Sequence, residues 1–329
     1  MAYHLDFHQS SLTRCRFAAS PLWETQEAVR TLARPARHGH HLPWLRRVRS
    51  AAQALDLRPL WLLMPERGFT PGFFGPPPAG SGASFAQEIA AARRTDPAVV
   101  HAEIVRALDC TPGAADSGTG RALLADPVAA LAELTGLLEA AWRALVEPDW
   151  PRLRDLFEAD ILFHSRRLAQ GGLQALFSEL HPRLAWAPPT LTLTTRSGWE
   201  ERQQLDGRGL VLMPSLFCWP DLATGFDGPW QPALVYPARG IGALWSEQAA
   251  IGTPDALARL LGRARADVLC ALGEPSSTSA LALRLGLAPS SVSAHLTTLR
   301  DAGLLVSRRY GHQVLYERTP LGIALATGT

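Results

Sequence analysis

The chain has 329 residues, of which 47% are hydrophobic and 19% charged, enough apolar material for about two folded domains and too much for a disordered chain. The formal net charge is +2, which excludes a protein that holds nucleic acid by overall charge; any such footprint must be local. Lysine and asparagine are absent, so phosphate contacts would come from planar guanidinium groups, and the usual asparagine reader of adenine is missing.

The four cysteines, Cys15, Cys110, Cys218 and Cys270, form no Cys-x-x-Cys and fit free thiols in a reducing compartment. The first eight residues lack a basic segment followed by an apolar run. The longest apolar run, Leu60 to Met64, is far too short to span a bilayer. The expectation is a cytoplasmic protein without a membrane partner.

In chain order, alternating Tyr3, Leu5 and Phe7 predict a strand. Ser20-Pro21 opens a helix whose apolar side is Leu22, Ala28, Val29 and Leu32. His38-Gly39-His40-His41, with His4 or His8, would be the only metal candidate. No acidic or thiol partner stands at ligand spacing, so a solvated turn is the expectation and no metal is assigned. Residues 65–84 repeat Pro, Gly and Phe, which rules out helix and central strand and predicts a long loop packed over a cleft or a partner.

Residues 85–180 read as mainly helical, with runs at 85–94, 97–108, 127–146 and 151–170 and a flexible linker at 111–120. Gly171-Gly172 ends the last long helix, and a shorter one follows at 173–180. Short strands at 191–194, 209–213 and 233–236 predict a small, mostly antiparallel sheet. All ten tryptophans precede residue 250; they either fill the core of this region or line a pocket for a flat or apolar ligand. Glu158 with Asp160 and Glu200 with Glu201 are the paired carboxylates. No nucleophile elbow, zinc motif or dinucleotide fingerprint accompanies them, so neither catalysis nor a cofactor is expected.

The last quarter is the most specific. Thr278 can cap a short helix with Leu281 and Leu285 on one face, and Gly286 can end it in the left-handed conformation. Ser290 can cap a second helix that Gly303 closes, with Val292, Leu296 and Leu299 as its buried stripe. A hairpin follows: 304–310, a Gly311-His312 turn, and 313–318. Two helices joined by a tight turn, the second with a small polar outer face, are a helix-turn-helix pattern whose second helix enters the major groove.

Ser290, Val292, Ser293, His295, Leu296, Leu299, Ala302, Gly303 and Leu304, then Arg309, Gly311 and Tyr316, resemble the winged helix-turn-helix of ArsR-type transcriptional repressors. The resemblance implies a double-stranded-DNA-binding repressor that reads a palindromic operator as a homodimer. Carried onto this chain, Ser290, Ser291, Ser293, Ala294, Thr297 and Thr298 approach base edges and nearby phosphates. Arg308, Arg309 and His312 anchor the wing, Arg300 meets a phosphate, and His295 contacts or positions. Where many members have Gln and Arg, this chain has Pro289 and Ala294, which implies thinner base readout. The metal-sensing cysteine pair of some members is reduced to Cys270, and one thiolate cannot make a tetrahedral site. The strings 16–22 and 236–242 resemble the N-terminal part of a family of such regulators, a part without assigned chemistry.

The expected fold is α+β, a large, mostly helical N-terminal region with a small sheet followed by a C-terminal winged helix-turn-helix. The expected domains are 1–252, for ligand sensing or dimerisation, and 253–329, for DNA binding. Two alternatives stay open on sequence alone: an enzyme or small-molecule sensor targeted to DNA by the winged helix, and a winged helix that binds protein.

Overall fold

A computed structural model describes residues 2–35, 41–66, 68–194, 200–225, 228–240, 255–273, 275–310 and 313–327. The chain divides into two compact units, Met1–Ala33 with Val48–Arg239, and Arg34–Arg47 with Gly240–Thr329. The expected boundary at 252/253 lies outside the described residues, as do His38, His40 and His312. The architecture is α+β.

The first unit begins with strand β1 (Ala2–Asp6), helix α1 (Gln9–Leu12), strand β2 (Arg16–Phe17) and helix α2 (Pro21–Ala33). After α3 (Leu42–Gln53), within which the division of the units falls, come α4 (Arg58–Leu62), α5 (Phe85–Ala92), α6 (Pro97–Leu108), α7 (Gly118–Ala125), α8 (Pro127–Ala141) and α9 (Trp150–Leu180). Gly172, at φ 64 and ψ −163, breaks α9 where the double glycine predicts a stop. Helix α7 was not anticipated. Its first turn is capped by Ser117, which accepts from the Gly120 amide at 2.9 Å. A Cβ at Gly120 would collide with the Ala114 carbonyl, so the predicted flexible linker is a packed turn that uses its glycine for close approach.

Strands β3 (Leu184–Ala187), β4 (Thr190–Thr194), β5 (Glu201–Gln204), β6 (Val211–Ser215), β7 (Ala223–Gly225) and β8 (Ala233–Pro237) complete the unit. With β1 and β2 they form two four-stranded sheets, β3-β4-β1-β5 and β2-β6-β8-β7, rather than the one small sheet expected. The first is mostly antiparallel. The second is mostly parallel, since β6 runs parallel to both β2 and β8. Burial explains the departure: every residue of β6 is buried, and successive residues serve opposite faces. Leu212 joins a cluster with Leu5, Phe177 and Trp186, while Val211 and Met213 join another with Ala18 and Val235. A strand covered on both sides reads as an apolar run, which is what a parallel sheet requires. Each fully buried side chain of this size contributes about 1.5–3 kcal/mol.

Helix α2 is buried almost all round, including Glu24, Thr25, Gln26 and Glu27. Glu24 Oε2 accepts from the Leu216 amide at 3.1 Å, while its Oε1 has no hydrogen-bond partner among the described residues. Glu88 Oε2 accepts from the Ser20 hydroxyl and the Leu22 amide, both at 2.9 Å, so a carboxyl from α5 serves the first turn of α2. Burial pushes the Glu24 and Glu88 carboxyls up to about 8. The Pro/Gly/Phe loop packs against this interior. Phe73 and Phe74 are buried, and the Phe73 amide and Trp230 Nε1 each donate to the Glu103 carboxyl at 3.1 Å. Gly72 is required there, because a Cβ would run into the Trp230 indole.

The second unit contains α10 (Asp255–Leu261), α11 (Arg263–Ala271), β9 (Ser276–Ser277), α12 (Thr278–Leu285), α13 (Pro289–Asp301), β10 (Leu305–Tyr310), β11 (Gln313–Arg318) and α14 (Pro320–Thr327). Its sheet runs β10-β11-β9. Val268, Leu269, Leu281, Val292, Leu296 and Leu305 belong to one apolar cluster that joins α11, α12, α13 and the hairpin.

Candidate nucleic-acid interface

Helix α12 begins one residue earlier than its sequence cap implied. Ser277, not Thr278, is the N-cap, and its hydroxyl accepts from the Ala280 amide at 3.3 Å. Gly286 ends the helix in the left-handed region at φ 64 and ψ 29, as expected. Its amide and that of Leu287, the latter at 3.0 Å, both return to the Ala282 carbonyl. The turn is therefore tight and closed on α12.

The second helix departs from expectation at its start. Ala288 is the N-cap and Pro289 the first helical residue, with no side-chain cap; Ser290 lies inside the helix. Proline fits this position because its fixed φ matches the helix and it has no amide to satisfy. The Ser290 and Ser291 amides thus have no side-chain acceptor at the N-cap, at the positive end of the helix dipole. That arrangement favours an anion such as a phosphate. Both serines are exposed.

The inner and outer faces of α13 separate cleanly. Val292 and Leu296 are fully buried and Leu299 nearly so. Ser290, Ser291, Ser293, Ala294, Thr298 and Arg300 are exposed, and His295 and Thr297 are half-buried. The Thr298 hydroxyl donates to the Ala294 carbonyl at 3.0 Å, which leaves its oxygen as an acceptor facing outward. The outer arc also carries Asp301, which is exposed. At about 100° per residue it stands between Ser290 and Ala294 in projection. It holds Arg300 in an ion pair at 2.8 Å, so the one arginine of the helix is tied to an acid.

The hairpin arranges its cations by register. Pairing of Leu305 with Arg318, Ser307 with Tyr316 and Arg309 with Val314 places these six on one face. At the base of that face Leu305 and Tyr316 are buried in the core; toward the tip Arg309 and Val314 are exposed. Arg308 lies on the other face, where its Nε meets Glu317 Oε1 at 3.0 Å. Burial raises the Glu317 carboxyl against the pull of Arg308. The two arginines are thus in different electrostatic positions: one is committed to an internal partner and the other is presented to solvent. Thr319 fastens the hairpin to the end of α13, donating to the Gly303 carbonyl at 2.7 Å and accepting from the Gly322 amide at 3.1 Å.

The carboxylate pairs of the N-terminal unit do not form a site. Glu158 is exposed near Arg154, whereas Asp160 is buried and accepts from the Tyr236 hydroxyl at 2.8 Å and the Arg239 amide at 2.9 Å. Glu200 and Glu201 are both exposed. Among the described tryptophans, Trp44, Trp142 and Trp186 are buried and the others are partly buried. Among the described residues there is no group of three metal-ligating side chains, and no helix is long and apolar enough to cross a membrane.

Residues 260–308 match the family model of a helix-turn-helix domain, which spans α11, α12, α13 and the start of β10. Residues 81–242 match the model of a family of unknown function. No curated protein and no solved structure matches the chain.

Proposed function

We propose that this chain, a DNA-binding transcription regulator whose ArsR-type helix-turn-helix follows a separate domain of unassigned function, is a repressor that reads a palindromic operator as a homodimer. The observation that carries the reading is the outer face of α13. Its small hydroxyl side chains are exposed, its first-turn amides lack a side-chain cap, and Arg309 is exposed at the tip of the adjoining hairpin.

In this reading, Ser290 and Ser291 meet a phosphate with their hydroxyls and amides. Ser293, Ala294 and Thr297 approach base edges, where small side chains let the helix sit deep in the major groove. Thr298 accepts from a base amino group. Arg309 neutralises a backbone phosphate beside the groove, and Arg308 contributes only after leaving Glu317. His295 positions the helix from its half-buried margin. Because the one arginine of α13, Arg300, is paired with Asp301, direct readout is modest and much of the affinity comes from the hairpin and from backbone amides.

A dimer follows from the same economy, since one such helix reads a half-site and two related by a two-fold axis read a palindrome. Leu260 on α10 and Leu321 on α14, 68% and 56% exposed, supply apolar surface for a second copy. The N-terminal domain has no catalytic role in this reading. The test is fluorescence anisotropy of the full chain on its own promoter region, together with sedimentation of the free protein. Tight, salt-sensitive, two-protomer binding is expected, and a reporter that rises on deletion of the gene would establish repression. A protein that sediments as a monomer and shows no preference among duplexes would sink the proposal.

A further inference from the structure

We infer a second binding site, in the N-terminal unit: a cleft that takes the carboxylate or phosphate end of a small molecule through Arg14, Arg16 and Arg208. The cleft has a volume of about 530 Å³ and is lined by these three arginines with Pro229 and Gln231. That volume lies in the range of about 300–1,000 Å³ usual for small-molecule sites.

The three arginines are far apart in sequence and are brought together by the parallel sheet. Arg16 pairs with Val211, and Val211 pairs with Ala233, so β2, β6 and β8 start at the same edge. The residues that enter β6 and β8, Arg208 and Gln231, therefore stand beside Arg14 and Arg16. Gly209, at φ +73, makes this approach close, because any Cβ there would strike the Arg14 backbone.

Arg16 and Arg208 are held in place, among the described residues, by neutral groups. Arg16 Nη2 donates to the Pro78 carbonyl and, at 3.0 Å, to Gln231 Oε1. Gln231 Nε2 donates to the Arg208 carbonyl at 2.8 Å, and Arg208 Nη1 to the Trp230 carbonyl at 3.2 Å. Among the described lining residues none is acidic. Arg16 is half-buried, and one of its nitrogens, Nη1, is buried without a hydrogen-bond partner among the described residues. Three like charges on one cleft, one of them partly desolvated, are costly unless a counter-charge joins them. A carboxylate or phosphate supplies it, and its oxygens match the fork of a guanidinium.

The test uses the full chain, with sodium phosphate and sodium citrate as separate probes in calorimetric titration and thermal melting. Sodium chloride at matched ionic strength is the control. Saturable binding of either probe is expected, with a rise in melting temperature beyond the chloride control. Phosphate alone, citrate alone or both would each support the site and would distinguish its ligand chemistry. In the Arg14→Gln/Arg208→Gln protein the dissociation constant should rise about tenfold or more, with an unchanged circular dichroism spectrum. If that protein misfolds, Arg14→Gln alone, which alters an exposed side chain, carries the comparison. No saturable binding, or equal constants in wild type and variant, would overturn the inference. So would a variant that loses duplex affinity and salt dependence while its anion titration is unchanged, since the arginines would then be contacts to DNA. Duplex binding is read separately, so a failure of the repressor reading leaves the anion result interpretable.

Discussion

The two units solve the problem of a stable interior in opposite ways. Between residues 255 and 327, the only fully buried polar residue among those described is Ser276, Glu317 is largely covered beside Arg308, and the core is otherwise aliphatic with one tyrosine. The N-terminal unit buries Glu24, Gln26, Glu27, Glu88, Glu103, Asp160 and His164. Several of these have an atom without a hydrogen-bond partner among the described residues: Glu24 Oε1, Gln26 Oε1, Glu88 Oε1 and His164 Nδ1. The contrast shows where each unit keeps its polar chemistry. The helix-turn-helix obtains rigidity from apolar packing and displays hydroxyls and a guanidinium outside. The larger unit accepts the cost of internal carboxyls, and its stability is thereby coupled to protons.

The largest effect should come from breaking the apolar unit. Leu296→Ala removes a fully buried side chain from α13 and should cost about 2–5 kcal/mol. The expected result is a low-temperature melting phase with loss of duplex binding, read by calorimetry and anisotropy. Full retention of both would mean that the outer face of α13 does not depend on this packing.

The proton coupling of the other unit comes next. Glu24 and Glu88 have ordinary values of 4.5 and are raised to about 8 by burial. Below pH 4.5 both folded and unfolded chains hold these protons, and nothing is lost. Between pH 4.5 and about 8 the folded chain keeps protons that the unfolded chain releases. Stability therefore falls as pH rises, by up to about 1.4 kcal/mol per pH unit per group. Urea unfolding followed from pH 5 to 8 should show this slope, and Glu88→Gln should flatten it. An equal slope in the variant would place the coupling elsewhere.

Two smaller effects sharpen the reading of the DNA face. Arg309→Ala should weaken binding to all duplex sequences alike and reduce the salt slope by about one unit. Arg308→Ala should do less, because Arg308 is already paired with Glu317. Equal losses would show that the pair opens on DNA. Asp301→Asn removes the acid of the outer arc and releases Arg300. It should tighten duplex binding by about twofold to fivefold at low salt, with the gain shrinking as salt rises. A change in sequence preference, in place of a uniform gain, would give Arg300 a role at a base edge.

Legibility in the sequence followed the range of the interactions. The stripe Val292, Leu296, Leu299 and the stop at Gly286 depend on residues within a turn or two of each other, and both stand where spacing put them. Caps were off by a residue or two, Ser277 for Thr278 and Ala288 for Ser290, because several neighbouring serines and threonines offer the same chemistry. Helix α7 was hidden by Gly118 and Gly120, which read as a loop until the contact of Gly120 with Ala114 is known.

What the sequence by itself determined is the helix-turn-helix with its hairpin, because helical periodicity, a left-handed glycine and strand pairing across a short turn are local. Only the tertiary structure decided that Arg14, Arg16, Arg208 and Gln231 share one cleft, since they meet through the parallel pairing of β2, β6 and β8. It also decided that Glu24 and Glu88 are enclosed. A carboxyl's environment is made by the elements that close over it, and no spacing along the chain records which those are.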